Sequence, residues 1–208
     1  MALKSFRCTS AISFIFFLLT SLIPLRSAQA LNGHLDSMDL PSLGQFANEI
    51  KNNQNSELRG VYVPGILAAR VVQQPKGHPE FVSTRHNLLT QFDLASQFGS
   101  TGLLAHNYLA GESFSYLKEN QKFYLIYGDG QIATFAVTEI LHFQALSPTS
   151  PSSKFIDLAN NDTLTASELF SKIYERPGQV ILQTCIAREN NFSWGRLFVI
   201  AKSYSQKP

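Results

Sequence analysis

Short apolar runs separated by turn-forming residues dominate the chain from residue 58 to residue 203. The runs are rich in Val, Leu and Ile, as is typical of β-strands. The clearest case is Gly128-Asp129-Gly130, which lies between the apolar runs 123–127 and 132–143 and predicts a hairpin. The pattern therefore predicts one mainly β domain over residues 58–203, either a barrel or a sandwich.

Helical patterns are few and short. Thr165-Ala166-Ser167-Glu168 is a capping box that opens a helix, and Pro177-Gly178 ends it. Residues 93–98 predict a second short helix, so we expect one or two helices at the periphery of the β domain. The preceding residues 31–57 are a polar lead-in rich in Asn, Gln and Ser, in which the weak amphipathic pattern of Leu43–Ile50 is compatible with a short helix.

The first thirty residues have the layout of a secretory signal peptide. A basic start precedes an apolar run over residues 11–25, and Ala28-Gln29-Ala30 supplies a cleavage site after Ala30. Because Arg26 follows the apolar run closely, retention as an uncleaved membrane anchor is the alternative. We therefore expect a secreted or extracytoplasmic protein, with membrane or cell-wall association if residues 1–30 are kept.

The sign of the net charge depends on whether the signal segment is kept. Removing Lys4, Arg7 and Arg26 with it lowers the formal net charge from +2 to −1. No basic tract remains in the mature chain, so we expect no nucleic-acid partner, and we expect a monomer.

Cysteine usage is more informative. Of the two cysteines, Cys8 lies in the signal segment, which leaves Cys185 as the single thiol of the mature chain. An unpaired exported cysteine indicates intermolecular pairing or a reactive thiol. The alternative is a buried, inert cysteine that packs as a small hydrophobe.

Cys185 ends the apolar run 180–185, and Arg196 opens the next run, 196–201. If these two runs pair as neighbouring strands, the guanidinium lies near the sulfur. Its fixed charge would then stabilise a thiolate and the oxyanion that forms when a thiolate attacks a carbonyl.

A cysteine nucleophile also needs a group that protonates the leaving amine, and histidine is the usual one. His106 follows the strand-like run 102–105 and precedes a loop, which predicts a position at the rim of the sheet. His86 is likewise followed by Asn, whereas His142 lies well inside a predicted strand. The remaining histidines are His34 and His78.

The order of these motifs resembles the sortases. The resemblance is carried by Gly102-Leu103-Leu104-Ala105-His106-Asn107, by Leu182-Gln183-Thr184-Cys185 and by Trp194-Gly195-Arg196 with the strand after it. It implies an eight-stranded β barrel and a cysteine transpeptidase or thiol peptidase of the hydrolase class. Such an enzyme cleaves a sorting-motif peptide of a surface protein, and an amine then resolves the acyl-enzyme.

The resemblance also assigns roles. It makes Cys185 the nucleophile, His106 the proton shuttle and Arg196 the oxyanion stabiliser, with Thr184 and Asn107 in support. It implies no cofactor and no metal. A sortase-shaped barrel that binds peptide or glycan without catalysis remains an alternative, as does a structural β domain with an inert cysteine.

Two other clusters are weaker candidates for metal binding. His78, Glu80 and His86 lack a shared face, and Pro79 intervenes between them. Residues 157–162 are rich in oxygen ligands but lack the alternate spacing of a calcium loop. We expect neither cluster to hold a metal.

Overall fold

The computed structural model describes residues 40–54 and 56–205. The predicted signal segment 1–30 and its cleavage site therefore lie outside the described residues, as does the start of the lead-in. Among the helices that the structure describes, none is long and apolar enough to cross a membrane.

The described residues form ten β-strands in one hydrogen-bonded sheet. In chain order the strands are β1 Leu58–Val63, β2 Leu67–Gln73, β3 Leu88–Phe92, β4 Thr101–Leu104, β5 Lys122–Tyr127, β6 Ile132–Ala145, β7 Phe155–Asp157, β8 Thr163–Leu164, β9 Val180–Arg188 and β10 Asn191–Ser203. The Asp-Gly turn joins β5 to β6, which confirms the predicted hairpin.

The sheet closes on itself. Its strands follow the order β10-β9-β4-β3-β2-β1-β5-β6, and β10 also pairs with β6, so these eight strands form a closed barrel. The short strands β7 and β8 extend the sheet from β6 outside this closure. The eight-stranded barrel that the resemblance implied is confirmed.

Side chains alternate between the barrel interior and an outer layer, as the period of a strand requires. On β9, Val180 and Leu182 belong to the interior core, whereas Ile181 belongs to a second core outside the barrel. On β10, Leu197 points inward and Phe198 outward in the same way. This alternation fixes which face every other residue of the two strands occupies.

The described residues contain three short α-helices, where the sequence predicts one or two. They are α1 Leu43–Ile50, α2 Asp93–Gln97 and α3 Ala166–Tyr174. A 3-10 helix, Ala110–Tyr116, follows β4, and we call it the plug helix because Ala110 and Phe114 are part of the interior core. The plug helix has no 3.6-residue apolar period, so its sequence gave no helical signal.

Helix α1 belongs to the lead-in and packs on the outside of the barrel. Ser42 and Gln45 form a capping box at its start, and Phe46 and Ile50 pack with Tyr62 and Ile126. A polar segment thus contributes its few apolar residues to a small third core.

Helix α3 begins at the predicted capping box, in which Thr165 and Glu168 bond each other's main chain. Its residues Leu169 and Ile173 are buried against Ile181 and Phe198 on the outer face of β9 and β10. Each such aliphatic side chain contributes about 1.5–3 kcal/mol through burial. The helix therefore forms a wall beside this face of the barrel.

The chain between the apolar runs 180–185 and 196–201 is polar, a composition that predicts a loop over residues 187–193. The structure instead continues β9 to Arg188 and begins β10 at Asn191. The two strands form a ribbon that turns at Glu189, whose φ of 53° is left-handed. Exposed residues lie on both faces of the ribbon, so no apolar alternation marks it as strand.

Candidate active site

Cys185 and Arg196 are direct partners in the antiparallel pair β9–β10. Directly opposed residues of such a pair point to the same face. Both follow the outward alternation of Ile181 and Phe198, so both lie on the outer face, beside α3. Neither residue ends or begins its strand, and cross-strand register, rather than strand ends, brings them together.

His106 lies at the end of the strand on the other side of β9. β4 and β9 are parallel, with Leu104 opposite Gln183, and the Ala105 N–H donates to the Gln183 carbonyl at 3.1 Å. β4 ends at Leu104, and His106 follows in the turn beside the part of β9 that carries Cys185. Cys185 and Arg196 thus face each other across β9 and β10, and His106 lies just past the end of the strand on the other side of β9.

The guanidinium of Arg196 is held by main-chain oxygens. Its Nη1 donates to the carbonyls of Ser193 and Gly195 at 3.0 and 2.9 Å, and its Nη2 donates to that of Pro148 at 3.4 Å. It also lies 5.9 Å from the centroid of the Phe155 ring. These contacts fix a planar cation on the face that carries the sulfur.

The ring of His106 stacks on that of Tyr108. The ring centroids are 5.1 Å apart and the planes are inclined by 18°, while Tyr108 itself is 58% exposed. The His106 carbonyl accepts hydrogen bonds from the N–H groups of Leu109 and Gly111. The turn after β4 thus fixes the main chain of His106, and Tyr108 limits the orientation of its ring.

Asn107 connects this turn to the β9–β10 ribbon. Its Nδ2 donates to the carbonyl of Phe192 at 2.9 Å, across 85 residues of sequence. The bond holds the segment that carries His106 against the ribbon, close to Arg196 in the chain.

Thr184 points into the barrel, as its place between Gln183 and Cys185 requires. It is buried, and its Oγ1 has no hydrogen-bond partner among the described residues. A Cβ on Gly111 would lie 2.4 Å from this oxygen and 2.7 Å from the His106 carbonyl oxygen. The plug helix therefore packs directly on Thr184 of β9 and on the main chain of His106 after β4, and only glycine fits at this contact.

Two cavities lie beside Cys185 and Arg196. The helix cavity, of about 230 Å³, lies between α3 and the barrel, and Gln183, Arg196 and Phe198 line it. The hydroxyl of Tyr174 donates to Gln183 Oε1 there, and burial raises the pKa of Tyr174 well above its usual range. The cysteine cavity, of about 250 Å³, includes Cys185.

The cysteine cavity lies beside the plug helix. Asn107, Glu112 and His142 line it together with Cys185. His142 lies within β6, as predicted, but it is exposed. Its cross-strand partner is Leu197, an inward-facing residue, so His142 belongs to the row next to that of Cys185 and on the opposite face.

The weaker metal candidates do not come together in the structure. His78 Nδ1 lies 3.4 Å from Glu80 Oε1 in an exposed loop. Asp157 binds Lys172 at 2.9 Å rather than a cluster of carboxylates. Among the described residues no group of three or more His, Cys, Asp or Glu side chains could hold a metal ion.

Sequence reasoning missed Tyr108, Gly111 and Glu112. Each lies in the turn or in the plug helix, where no regular period marks the buried or site-facing positions. An aromatic residue two positions after His106 was the only local signal for the stack.

Several solved sortase structures are similar to this chain. Sortase A from Corynebacterium diphtheriae has 15% identity and a TM-score of 0.48, with 74% of this chain and 64% of that chain covered. Sortase C-1 from Actinomyces oris has 14% identity and a TM-score of 0.49, with 80% and 83% covered. Sortase C1 from Streptococcus suis has 15% identity and a TM-score of 0.49, with 78% of each chain covered.

This chain thus spans just under two thirds of the length of the Corynebacterium protein. No protein-family model matches it, and no curated protein matches it by sequence. The strand pairing within this chain establishes the barrel independently of these similarities.

Proposed function

We propose that this chain is an exported cysteine transpeptidase. In this proposal Cys185 cleaves a sorting-motif peptide bond of a surface protein and transfers the acyl group to an amine. The observation that supports it is the direct pairing of Cys185 with Arg196 across β9 and β10, with His106 just past the end of β4 on the other side of β9. The sheet fixes Cys185 and Arg196, and the hydrogen-bonded turn after β4 fixes the main chain of His106.

Acylation needs a nucleophile, an acid and an oxyanion donor. The Cys185 thiolate attacks the peptide carbonyl carbon, so that a C–S bond forms and the carbonyl oxygen takes up negative charge. An N–H of Arg196 stabilises that oxygen. His106, as imidazolium, protonates the nitrogen as the C–N bond breaks, and a neutral amine leaves.

Deacylation reverses these roles. A neutral amine attacks the thioester carbon, a C–N bond forms, and the C–S bond breaks with the electron pair returning to sulfur. The proton of the attacking nitrogen passes to His106. The enzyme regains its thiolate and imidazolium, and water in place of the amine gives hydrolysis.

One observation favours the non-catalytic alternative. The N–H groups of Arg196 already bond three main-chain carbonyls, as a purely structural arginine would. A guanidinium has five N–H donors, so donors remain for an oxyanion. A barrel that binds peptide or glycan without catalysis would use the same face and would form no thioester.

Replacement of Arg196 separates the two functions. In a transpeptidase, Arg196→Ala lowers kcat/KM by roughly 10²–10³, the cost of one lost oxyanion donor, and Arg196→Lys restores little because an ammonium lacks the planar fork. Arg176, which pairs with Glu139 at 2.6 Å, is the matched control. An Arg196→Ala protein that is as active as wild type would contradict the assignment.

A further inference from the structure

A cavity of about 570 Å³ is lined by helix α1, by strand β2 and by residues 85–88, and we call it the basic cavity. Its lining contains none of the three residues proposed for catalysis, so it is a separate site. The ionisable side chains in its lining are those of Glu49, Arg70, Arg85 and His86. Two permanent cations thus stand against one carboxylate in a single concave surface.

The sheet brings two of these segments together on the outside of the barrel. Ala69 of β2 belongs to the interior core, so the next residue, Arg70, points to the outer face. Arg70 is the partner of Leu88 in the parallel pair β2–β3, and its N–H donates to the Asn87 carbonyl at 3.0 Å. The segment 85–88 therefore runs beside Arg70, and strand pairing fixes this arrangement.

Arg70 is only partly committed to a partner within the protein. Its Nη2 lies 2.6 Å from Glu49 Oε1 of α1, and both side chains are about half exposed, at 48% and 59%. An exposed ion pair of this kind contributes little to stability. A guanidinium has further N–H groups beyond the one that this pair uses, so Arg70 keeps donors for a second anion.

Arg85 carries the unmatched charge of the basic cavity. In the described part of the chain its guanidinium pairs with no carboxylate, and only its main-chain N–H is hydrogen-bonded, to Ser83 Oγ at 3.3 Å. His86 and Asn87 follow it in the lining and add an imidazole and a side-chain amide. The cavity therefore collects hydrogen-bond donors and has an excess of positive charge.

This set of donors fits a phosphate group better than a carboxylate. One guanidinium fork satisfies both oxygens of a carboxylate, whereas a phosphate has further oxygens for a second guanidinium. A lone arginine on a convex surface would be solvated and would select no ligand. Here two arginines from different segments line one cavity, and its volume exceeds that of several water molecules.

We propose that the basic cavity binds a phosphate group, carried by a soluble phosphate ester or by a lipid headgroup. Arg85 makes the main contact and Arg70 the second, while Glu49 weakens binding because it competes for Arg70. This site is independent of the transpeptidase function, and it would remain if Cys185 formed no thioester.

Isothermal titration of the folded whole chain with inorganic phosphate, phenyl phosphate and acetate measures the preference. Sodium chloride keeps the ionic strength equal, because salt screens exposed charges. We expect both phosphates to bind and acetate to bind roughly tenfold more weakly, the effect of one missing charge-assisted contact.

Substitutions that change charge locate the site. Arg85→Gln should weaken phosphate binding roughly tenfold, and Arg85→Lys should restore only part of it because an ammonium lacks the planar fork. Arg188→Gln is the matched control, since Arg188 is an exposed arginine of the β9–β10 ribbon outside this cavity. Circular dichroism checks that each variant is folded.

Replacing Glu49 should have the opposite effect. Glu49→Gln frees Arg70 and should tighten phosphate binding about threefold. Glu119→Gln removes an exposed carboxylate that does not line the cavity, so it should leave the affinity unchanged. A general effect of net charge would tighten binding equally in both variants and would contradict the assignment.

Flotation with phosphatidylcholine vesicles, with and without phosphatidic acid, distinguishes the two sources of phosphate. Vesicle binding that needs both phosphatidic acid and Arg85 assigns the site to a lipid headgroup, and binding of phenyl phosphate alone assigns it to soluble esters. No binding of either phosphate at millimolar concentration, or acetate bound as tightly as phosphate, would overturn the proposal. An equal loss in Arg188→Gln and Arg85→Gln would also overturn it, because it would indicate an adventitious ion only.

Discussion

The side-chain amide of Asn107 donates to the Phe192 carbonyl at 2.9 Å, and this bond joins the turn that carries His106 to the β9–β10 ribbon. Asn107 and Phe192 are 85 residues apart in sequence, and Phe192 is exposed. The bond therefore lies at the surface, where it holds the turn in place.

Replacing Asn107 tests this role. Asn107→Ala is expected to lower the free energy of unfolding by about 1 kcal/mol and kcat/KM by roughly tenfold, because the proton shuttle loses its fixed position. Urea unfolding and peptide cleavage assays measure the two effects. Asn107→Asp, which has no N–H to donate, should behave like the alanine variant, and Asn48→Ala on α1 should lose no activity.

Tyr108 offers a second test of how His106 is oriented. Tyr108→Phe keeps the stacked ring and should retain activity within about twofold. Tyr108→Ala removes the stack, worth about 0.5–1.5 kcal/mol, and should lower kcat roughly two- to tenfold. If the variants Tyr108→Ala and Tyr116→Ala have equal kcat, the stack has no positioning role, since Tyr116 is an equally exposed tyrosine of the plug helix.

Gly111 tests the contact of the plug helix with the site. An alanine Cβ would approach Thr184 Oγ1 to 2.4 Å, so Gly111→Ala should destabilise the fold by about 1–3 kcal/mol and displace the His106 turn. Gly44→Ala in α1 meets no atom within 4 Å and should be neutral or stabilising by up to about 1 kcal/mol. Thermal unfolding measures both variants. A lower melting temperature for Gly111→Ala, with an unchanged or higher one for Gly44→Ala, would support the close approach, and equal shifts in melting temperature would contradict it.

The ion pair between Asp157 and Lys172 makes the free energy of unfolding depend on pH. Burial raises the pKa of Asp157, but the hydrogen bonds from Lys172 and the Ala159 N–H, with the charge of Lys172, outweigh it and hold the pKa below its ordinary value. The folded state therefore binds this proton less readily than the unfolded state. The stabilisation is complete above the unfolded-state pKa and is lost as the pH falls through the folded-state pKa.

Asp157→Asn should thus lower the free energy of unfolding by about 1–2 kcal/mol near pH 7 and leave it almost unchanged near pH 2. Urea unfolding at the two pH values measures this difference. The exposed Asp93, replaced in the same way, is the control. A loss for Asp157→Asn that is the same at both pH values would show that packing, and not the ion pair, is responsible.

The sequence predicts the local parts of this fold well. The Asp-Gly hairpin of β5 and β6 and the capped helix α3 depend on neighbouring residues, and the structure confirms both. The resemblance, not periodicity, distinguished a barrel from a sandwich. Closure depends on the pairing of β10 with β6 and of β4 with β9, which no local pattern encodes.

The candidate site follows the same division. Cys185, His106 and Arg196 could be chosen from residue type and order. The expected pairing of the two strands is confirmed, but it places Cys185 opposite Arg196 inside the strands and not at their ends. Gly111 acts through the packing of the 3-10 helix on β9, and this contact becomes apparent only once the barrel is closed.

The most direct test of the central claim is intact-protein mass spectrometry of the folded chain incubated with candidate sorting peptides. We expect a mass increase equal to the acyl fragment on wild type and none on Cys185→Ala. His106→Ala should form the adduct with activated esters, whose leaving group needs no proton, but not with peptides, whereas His86→Ala and His142→Ala should form it with both. A folded wild-type protein whose Cys185 is never modified, by these peptides or by a thiol-directed reagent, would contradict the account, and loss of the peptide adduct in His142→Ala instead of His106→Ala would assign the proton shuttle to the other face of the sheet.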